Sequence, residues 1–282
     1  MPAGRSFTMT IPLLVILFLT HPASGQDGGS RHSRTAADSL RMAQDSIVAA
    51  ANQAIARDSA LIDEYQKIIA VLKGRRHYDE ELLLAEKMVA ANPAVPLAYY
   101  SYGDAQLDNI LPEQAITSFS KALLIQPTFV RARVTLAEAY MMLKLYDTAL
   151  AHLDTAIMHN PRYAQAHVQR ATLLTQLGRE YEALENYRAA SELLPDSFTQ
   201  WLKFGRLLVR MNQYDEAIST LEYAITLNPE SSDAHYLHAQ ALAGAGRNKE
   251  AIQAYNNFWM HFPRDHRALE AERIAREMAG QP

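Results

Sequence analysis

The stretch "EAISTLEYAITLNPE", Glu216 to Glu230, decides the fold. Ala217, Ile218, Leu221, Ala224, Ile225 and Leu227 recur at spacings of three and four residues, the apolar stripe of a helix with 3.6 residues per turn. Asn228-Pro229 stops the pattern: proline has no N–H to give and pushes the residue before it out of the helical region. The same stop recurs along the chain. Pro93, Pro127, Pro161, Pro195, Pro229 and Pro263 follow one another at intervals of 34 residues, with no insertion or deletion.

Registered on these prolines, other columns appear. Ala115, Ala149, Ala183, Ala217 and Ala251 stand twelve residues before their prolines, and Ala122, Ala156, Ala190 and Ala224 stand five before. Between them runs a column of aromatic residues or leucine: Phe119, Leu153, Tyr187, Leu221 and Tyr255. A further small-residue column is Gly103, Ala137, Ala171, Gly205 and Ala239. Small side chains in two columns let paired helices approach closely, and a larger one would overpack by about 1 to 3 kcal/mol. Gly178 and Gly246 fall at the turn between helices, where a left-handed cap favours glycine.

These columns resemble the tetratricopeptide repeat, a 34-residue helix-turn-helix unit. The best copy runs from Phe198 to Ser231, with Trp201 at repeat position 4, Gly205 at 8, Tyr214 at 17, Ala217 at 20, Ala224 at 27 and Pro229 at 32. Six copies lie end to end from Ile62 to Asp265. The first is the weakest, because Ile69 and Glu81 take its small positions 8 and 20. In copies two, four and six Pro112, Glu180 and Asn248 replace the tyrosine of position 17. The resemblance implies an all-α, right-handed superhelical solenoid of about six repeats with helical caps at its ends.

The flanking segments divide as follows. Residues 1–25 have the order of a signal peptide: Arg5, the apolar run Ile11 to Thr20, then Ala23 to Gly25 as small residues before a cleavage at Gln26. That run is well short of the roughly 20 residues that span a bilayer, so the expectation is export without stable membrane insertion, to a bacterial periplasm or beyond the cell. Residues 26–35 form a polar lead-in. Residues 36–61 carry apolar residues at heptad spacing, Leu40, Ile47, Ala54 and Leu61, and read as an N-terminal cap or a short coiled coil that makes a homodimer. Residues 266–282 hold a capping helix, with Leu269, Ile274 and Met278 as its apolar residues, and a tail. The chain has no cysteine, so neither a disulfide nor a cysteine-linked lipid anchor is available.

The 282 residues carry 27 basic and 31 acidic side chains with no basic stripe, which argues against nucleic acid as a partner. No phosphate-binding glycine loop, nucleophile elbow or zinc helix is present, and no enzyme is expected. His235 and His238 are spaced as a two-ligand metal pair, but no third ligand is placed by the repeat, so they are read as packing residues and neither metal nor cofactor is expected.

The resemblance implies that positions 2, 5, 9, 12 and 13 of the first helices face a concave peptide groove. Position 5 supplies an apolar column, Tyr100, Val134, Val168, Leu202 and Tyr236. Position 9 changes character from Asp104 and Glu138 through Thr172 to Arg206 and Gln240, with Asp108 at the acidic end, Lys203 and Arg210 at the basic end, and Met141 as adaptable apolar surface. Such a groove would be electrostatically polar along its axis and would orient an extended peptide or helix. The lysine and asparagine pair with which family members clamp chaperone C-termini is absent from every copy. The reading is a non-catalytic protein- or peptide-binding scaffold of the cell envelope. The alternatives are a structural homo-oligomer dimerising through its N-terminal helix and an accessory factor of envelope polysaccharide or peptidoglycan metabolism.

Overall fold

Helices end where the 34-residue columns say they should. The computed structural model describes residues 62–280; the segments 1–25, 26–35 and 36–61, with the leader, lead-in and coiled-coil expectations, lie outside the described residues. Among the described residues there are thirteen helices and no strand. Twelve form pairs: α1 (Ile62–Gly74) with α2 (Tyr78–Ala91), α3 (Pro96–Asp108) with α4 (Pro112–Ile125), and α5 (Val130–Met142) with α6 (Tyr146–His159). Then come α7 (Ala164–Gln176) with α8 (Glu180–Leu193), α9 (Phe198–Arg210) with α10 (Tyr214–Leu227), and α11 (Ser232–Gly244) with α12 (Asn248–His261). Each first helix fills positions 1 to 13 of its copy and each second helix positions 17 to 30.

Packing follows from the small columns. Ala115, Ala149, Ala183, Ala217 and Ala251 are all completely buried, as are Ala137, Ala171 and Ala239. A Cβ added to Gly103 would lie 2.7 Å from the Phe119 ring, and one added to Gly205 would lie 2.6 Å from Leu221. Position 8 therefore sits in van der Waals contact with position 24, where Phe119, Leu153, Tyr187, Leu221 and Tyr255 are buried. Every helix packs on the next one in sequence, and the first helices α3 and α5, α5 and α7, and α9 and α11 also touch one another. That second set of contacts puts the first helices on the tighter, inner side of the stack.

The turn between the helices of a pair has the same form each time. The residue at position 15 adopts a left-handed backbone: Arg76 (φ 60), Ile110 (φ 58), Lys144 (φ 60), Gly178 (φ 72), Asn212 (φ 58) and Gly246 (φ 74). The following N–H reaches back to the carbonyl of position 11, as in Leu111 to Gln106 (2.8 Å), Arg179 to Leu174 (2.9 Å) and Arg247 to Leu242 (3.0 Å). This is the Schellman closure of a helix C-terminus, which glycine meets without strain and a β-branched residue does not.

A second recurring bond involves the prolines. The position-4 side chain reaches the carbonyl of the proline six residues earlier: Arg133 Nη2 to Pro127 (2.7 Å), His167 Nε2 to Pro161 (2.9 Å), Trp201 Nε1 to Pro195 (2.8 Å) and His235 Nε2 to Pro229 (2.9 Å). The bond ties the end of one pair to the first helix of the next, and Trp, His and Arg share the one property it needs, an N–H on a long side chain.

At the C-terminal end α13 (Ala268–Met278) packs on α12. It caps the stack with one departure from the expectation. Ile274 and Met278 pack on Tyr236, Tyr255 and Phe258 as expected, but Leu269 is 80% exposed, and the fully buried residues of the face are Ala271 and Ala275. Alanines let α13 lie close over these aromatic rings, and Arg267 anchors its start by stacking 4.8 Å from the Tyr236 ring while pairing with Asp265 and Asp233 at 2.8 Å each. Among the described residues no helix is long and apolar enough to cross a membrane.

Ile110 holds its left-handed conformation with a side chain 76% exposed, so glycine there relieves strain and loses no packing. Ile110→Gly is expected to stabilise the protein by about 1 kcal/mol and Gly178→Ile to destabilise it by at least as much, both read from the shift in the urea midpoint.

Candidate functional site

The inner face is made by the first helices, and the apolar column of position 5 forms its floor. Val134 is 2% exposed, Val168 7% and Tyr236 6%, so these three fill the seams between helices rather than presenting surface. Tyr236 belongs to the core under α13, and its hydroxyl is reached by the side chains of Glu270 and Gln240. Burial, and then Glu270, raise the Tyr236 hydroxyl above its ordinary range. Tyr100 and Leu202 are half-buried. Tyr100 lies between Phe119 (5.8 Å) and Phe129 (5.4 Å), with the Arg131 guanidinium 4.4 Å above its ring. Met141 is half-buried against the main core. The surface offered to a ligand is thus narrower than the sequence column implies, because the close approach set by the small columns closes over position 5.

The polar residues stand where the repeat places them, but each charge has a neighbour that the groove positions alone do not reveal. Arg206 pairs with Asp233 at 2.9 Å and Arg210 with Glu180 at 2.5 Å. Asp233 is at position 2 of the next copy, and Glu180 is the residue that stands in for the position-17 tyrosine of copy four. At the other end Lys73 bridges Asp104 (2.8 Å) and Asp108 (2.7 Å). The expected polarity along the axis is therefore cancelled locally at the basic end, where Lys203 makes no ion pair among the described residues. Thr172 spends its hydroxyl on the Val168 carbonyl at 2.8 Å. Glu138 accepts a hydrogen bond from Gln169 at 3.2 Å, and burial followed by the nearby Asp104 raises its carboxyl above the usual range.

The acidic end contains one residue that the groove positions miss. Glu81 of α2 occupies position 20 and is completely buried, with neither carboxyl oxygen hydrogen-bonded. One oxygen each of Glu81, Asp104 and Asp108 lie within 4.8 Å of one another. Burial, then the charge of Asp108, push the Glu81 carboxyl up to about 7, with Asp104 acting in the same direction and Lys73 opposing them. The sequence signal was present as the one acidic residue in an alanine column; Lys73 carried none, since it stands in the least regular copy.

His238 lies 3.4 Å from Glu222 and the His235 ring lies 5.3 Å from that of Phe262 at a tilt of 43°, so both pack between helices. Burial holds the His238 imidazole below its ordinary range. These two line an open cavity of about 670 Å³ formed by α10, α11 and α12.

Models of the tetratricopeptide repeat match residues 111–177 and 202–257. Anaphase-promoting complex subunit 3 of Schizosaccharomyces pombe is 23% identical over 192 residues, 66% of this chain and 28% of its own. The peroxisomal targeting signal receptor of Kluyveromyces lactis is 25% identical over 185 residues, 63% of this chain and 32% of its own. The chain thus spans less than a third of the length of either relative. Among solved structures, YrrB, a tetratricopeptide-repeat protein with an unusual peptide-binding site, matches with a TM-score of 0.59 at 21% identity, covering 67% of this chain and 97% of that one. That likeness is one of fold.

A carboxyl that is raised in the folded state holds extra protons between the unfolded value of 4.5 and about 7, so stability falls as pH rises through this window and the loss is complete above it. In chelator-treated protein Glu81→Ala is expected to raise Tm by about 4 °C at pH 8, the scale of removing one buried unpartnered charge, and by much less at pH 5. Thermal melts at the two pH values check this, and an equal shift at both would show that Glu81 is not ionising in the folded protein.

Proposed function

Because the chain belongs to the tetratricopeptide-repeat family, we propose that it is a non-catalytic binding scaffold that receives a protein or peptide along the inner face of its first helices. Proteins of this family generally act as protein-binding scaffolds or adaptors. The observation that carries the reading for this chain is the inner face of the first helices, with an apolar floor that is covered at Val134, Val168 and Tyr236 but half-open at Tyr100 and Leu202, and a polar rim. Tyr100, Met141 and Leu202 are the half-buried apolar residues that a ligand side chain can reach. Two ends differ in kind. The acidic end sets Asp104, Asp108 and Glu138 against Lys73, and suits a basic segment of the ligand. The opposite end keeps Lys203 for an acidic group or a main-chain carbonyl. We place the protein outside the cytoplasm, after removal of residues 1–25, on the strength of the apolar run and small residues there; an intact N-terminus on the protein recovered from its native host would remove that part of the reading.

Binders selected from a random-peptide display library against the purified protein test the groove. Leu202→Asp combined with Lys203→Glu is expected to weaken the selected peptides at least tenfold in Kd, and Met141→Glu to do the same for those engaging the acidic half. Tyr181→Ala, on the second helix α8 with a side chain 81% exposed, should change Kd less than twofold. Loss of affinity in the Tyr181 variant with none in the inner-face variants would place the ligand on the outer surface.

A further inference from the structure

Glu81 poses a chemical problem that the polypeptide does not solve. Both its oxygens are shielded from solvent and neither has a donor, although its carboxyl is surrounded by the charged groups of two helices. A buried carboxylate without hydrogen bonds is costly, and the equivalent position in each later copy is alanine, so the fold does not require an acid there. The nearest cation, the Lys73 ammonium, is engaged with Asp104 at 2.8 Å and Asp108 at 2.7 Å. It marks the point as attractive to positive charge while leaving Glu81 without a bond. The Lys73 side chain is 41% exposed, so its head can swing into water.

We propose that Glu81, Asp104 and Asp108 form a divalent-cation site matched to Ca²⁺, in which the metal displaces the Lys73 ammonium and clamps α2 to α3. The donor set is all carboxylate oxygen, which selects hard cations over zinc or copper. Three oxygens within 4.8 Å of one another can be joined by one ion whose bonds are about 2.3 to 2.6 Å long. Mg²⁺ demands near-ideal octahedral geometry and gives up its water reluctantly, so a partly buried set of three carboxylates favours the more adaptable Ca²⁺. Two helices present the ligands: Asp104 and Asp108 are one helical turn apart on α3, and Glu81 projects from the packed interface of α2. Bound there, the ion would tie the least regular pair of helices to the rest of the stack and replace one ammonium by a double charge at the acidic end of the inner face.

The test uses the full chain stripped with a chelator and titrated with CaCl₂ or MgCl₂ in 150 mM KCl, read by calorimetry and by Tm. Ca²⁺ at 5 mM is expected to raise Tm by at least 2 °C and Mg²⁺ by less than half as much. Lys73→Met, which removes the competing ammonium, should tighten Ca²⁺ binding about tenfold. Glu81→Gln should weaken it at least tenfold, and Glu81→Ala should abolish the shift while remaining folded. Absence of heat and of a Tm change up to 10 mM Ca²⁺ in both the wild type and Lys73→Met overturns the site. So does an equal response in Glu81→Gln, which would assign the binding to other surface carboxylates, or an equal response to Mg²⁺, which would be charge screening.

Discussion

Everything in this molecule depends on how closely two helices of a pair can lie. The contact is between position 8 and position 24, where Gly103 rests on the Phe119 ring and Gly205 on Leu221 with no room for a Cβ. Alanines at position 20, completely buried, hold the same spacing on the other side. Once the separation is set, the position-15 turn and the proline stop repeat it every 34 residues, and a constant angle accumulates into a stack. Burial of the position-24 residues supplies the favourable free energy, while the small residues make it reachable.

The first pair shows what happens when that constraint is relaxed. Ile69 replaces the small residue at position 8 and Glu81 the alanine at position 20, and both are buried. The bulk of Ile69 and the charge of Glu81 are accommodated together, with Lys73, Asp104 and Asp108 gathered around the carboxyl. The irregularity is therefore chemically specific. It concentrates three carboxyls and one ammonium at a single junction and gives that end a character the later pairs lack.

Elsewhere on the inner face Arg206 and Arg210 are each paired, while Lys203 makes no ion pair among the described residues. Arg206 finds Asp233 on the following first helix, Arg210 finds Glu180 on the preceding second helix, and Arg267 closes the C-terminal end between Asp233 and Asp265. Exposed pairs of this kind contribute little to stability, but they offset the charges of Arg206 and Arg210 locally. On the proposed reading, recognition rests on the apolar side chains that remain partly open and on the acidic end, where three carboxyls face one ammonium.

The sequence by itself determined the architecture: six prolines at a constant interval, two small columns and one bulky column specify paired helices of fixed length, and the helix limits follow them residue by residue. It also identified Gly178 and Gly246 as left-handed, because glycine announces that backbone. It was silent on Arg76, Ile110, Lys144 and Asn212, whose identical conformation is imposed by the turn rather than favoured by the residue. Only the tertiary structure decided which position-5 residues are covered, how the charges pair and where Lys73 and Glu81 meet Asp104 and Asp108. The reason is physical: a repeat pattern encodes contacts within a helix pair, whose partners lie at fixed sequence offsets. Burial depth and charge pairing depend on neighbouring pairs, and on side-chain lengths that the columns leave free.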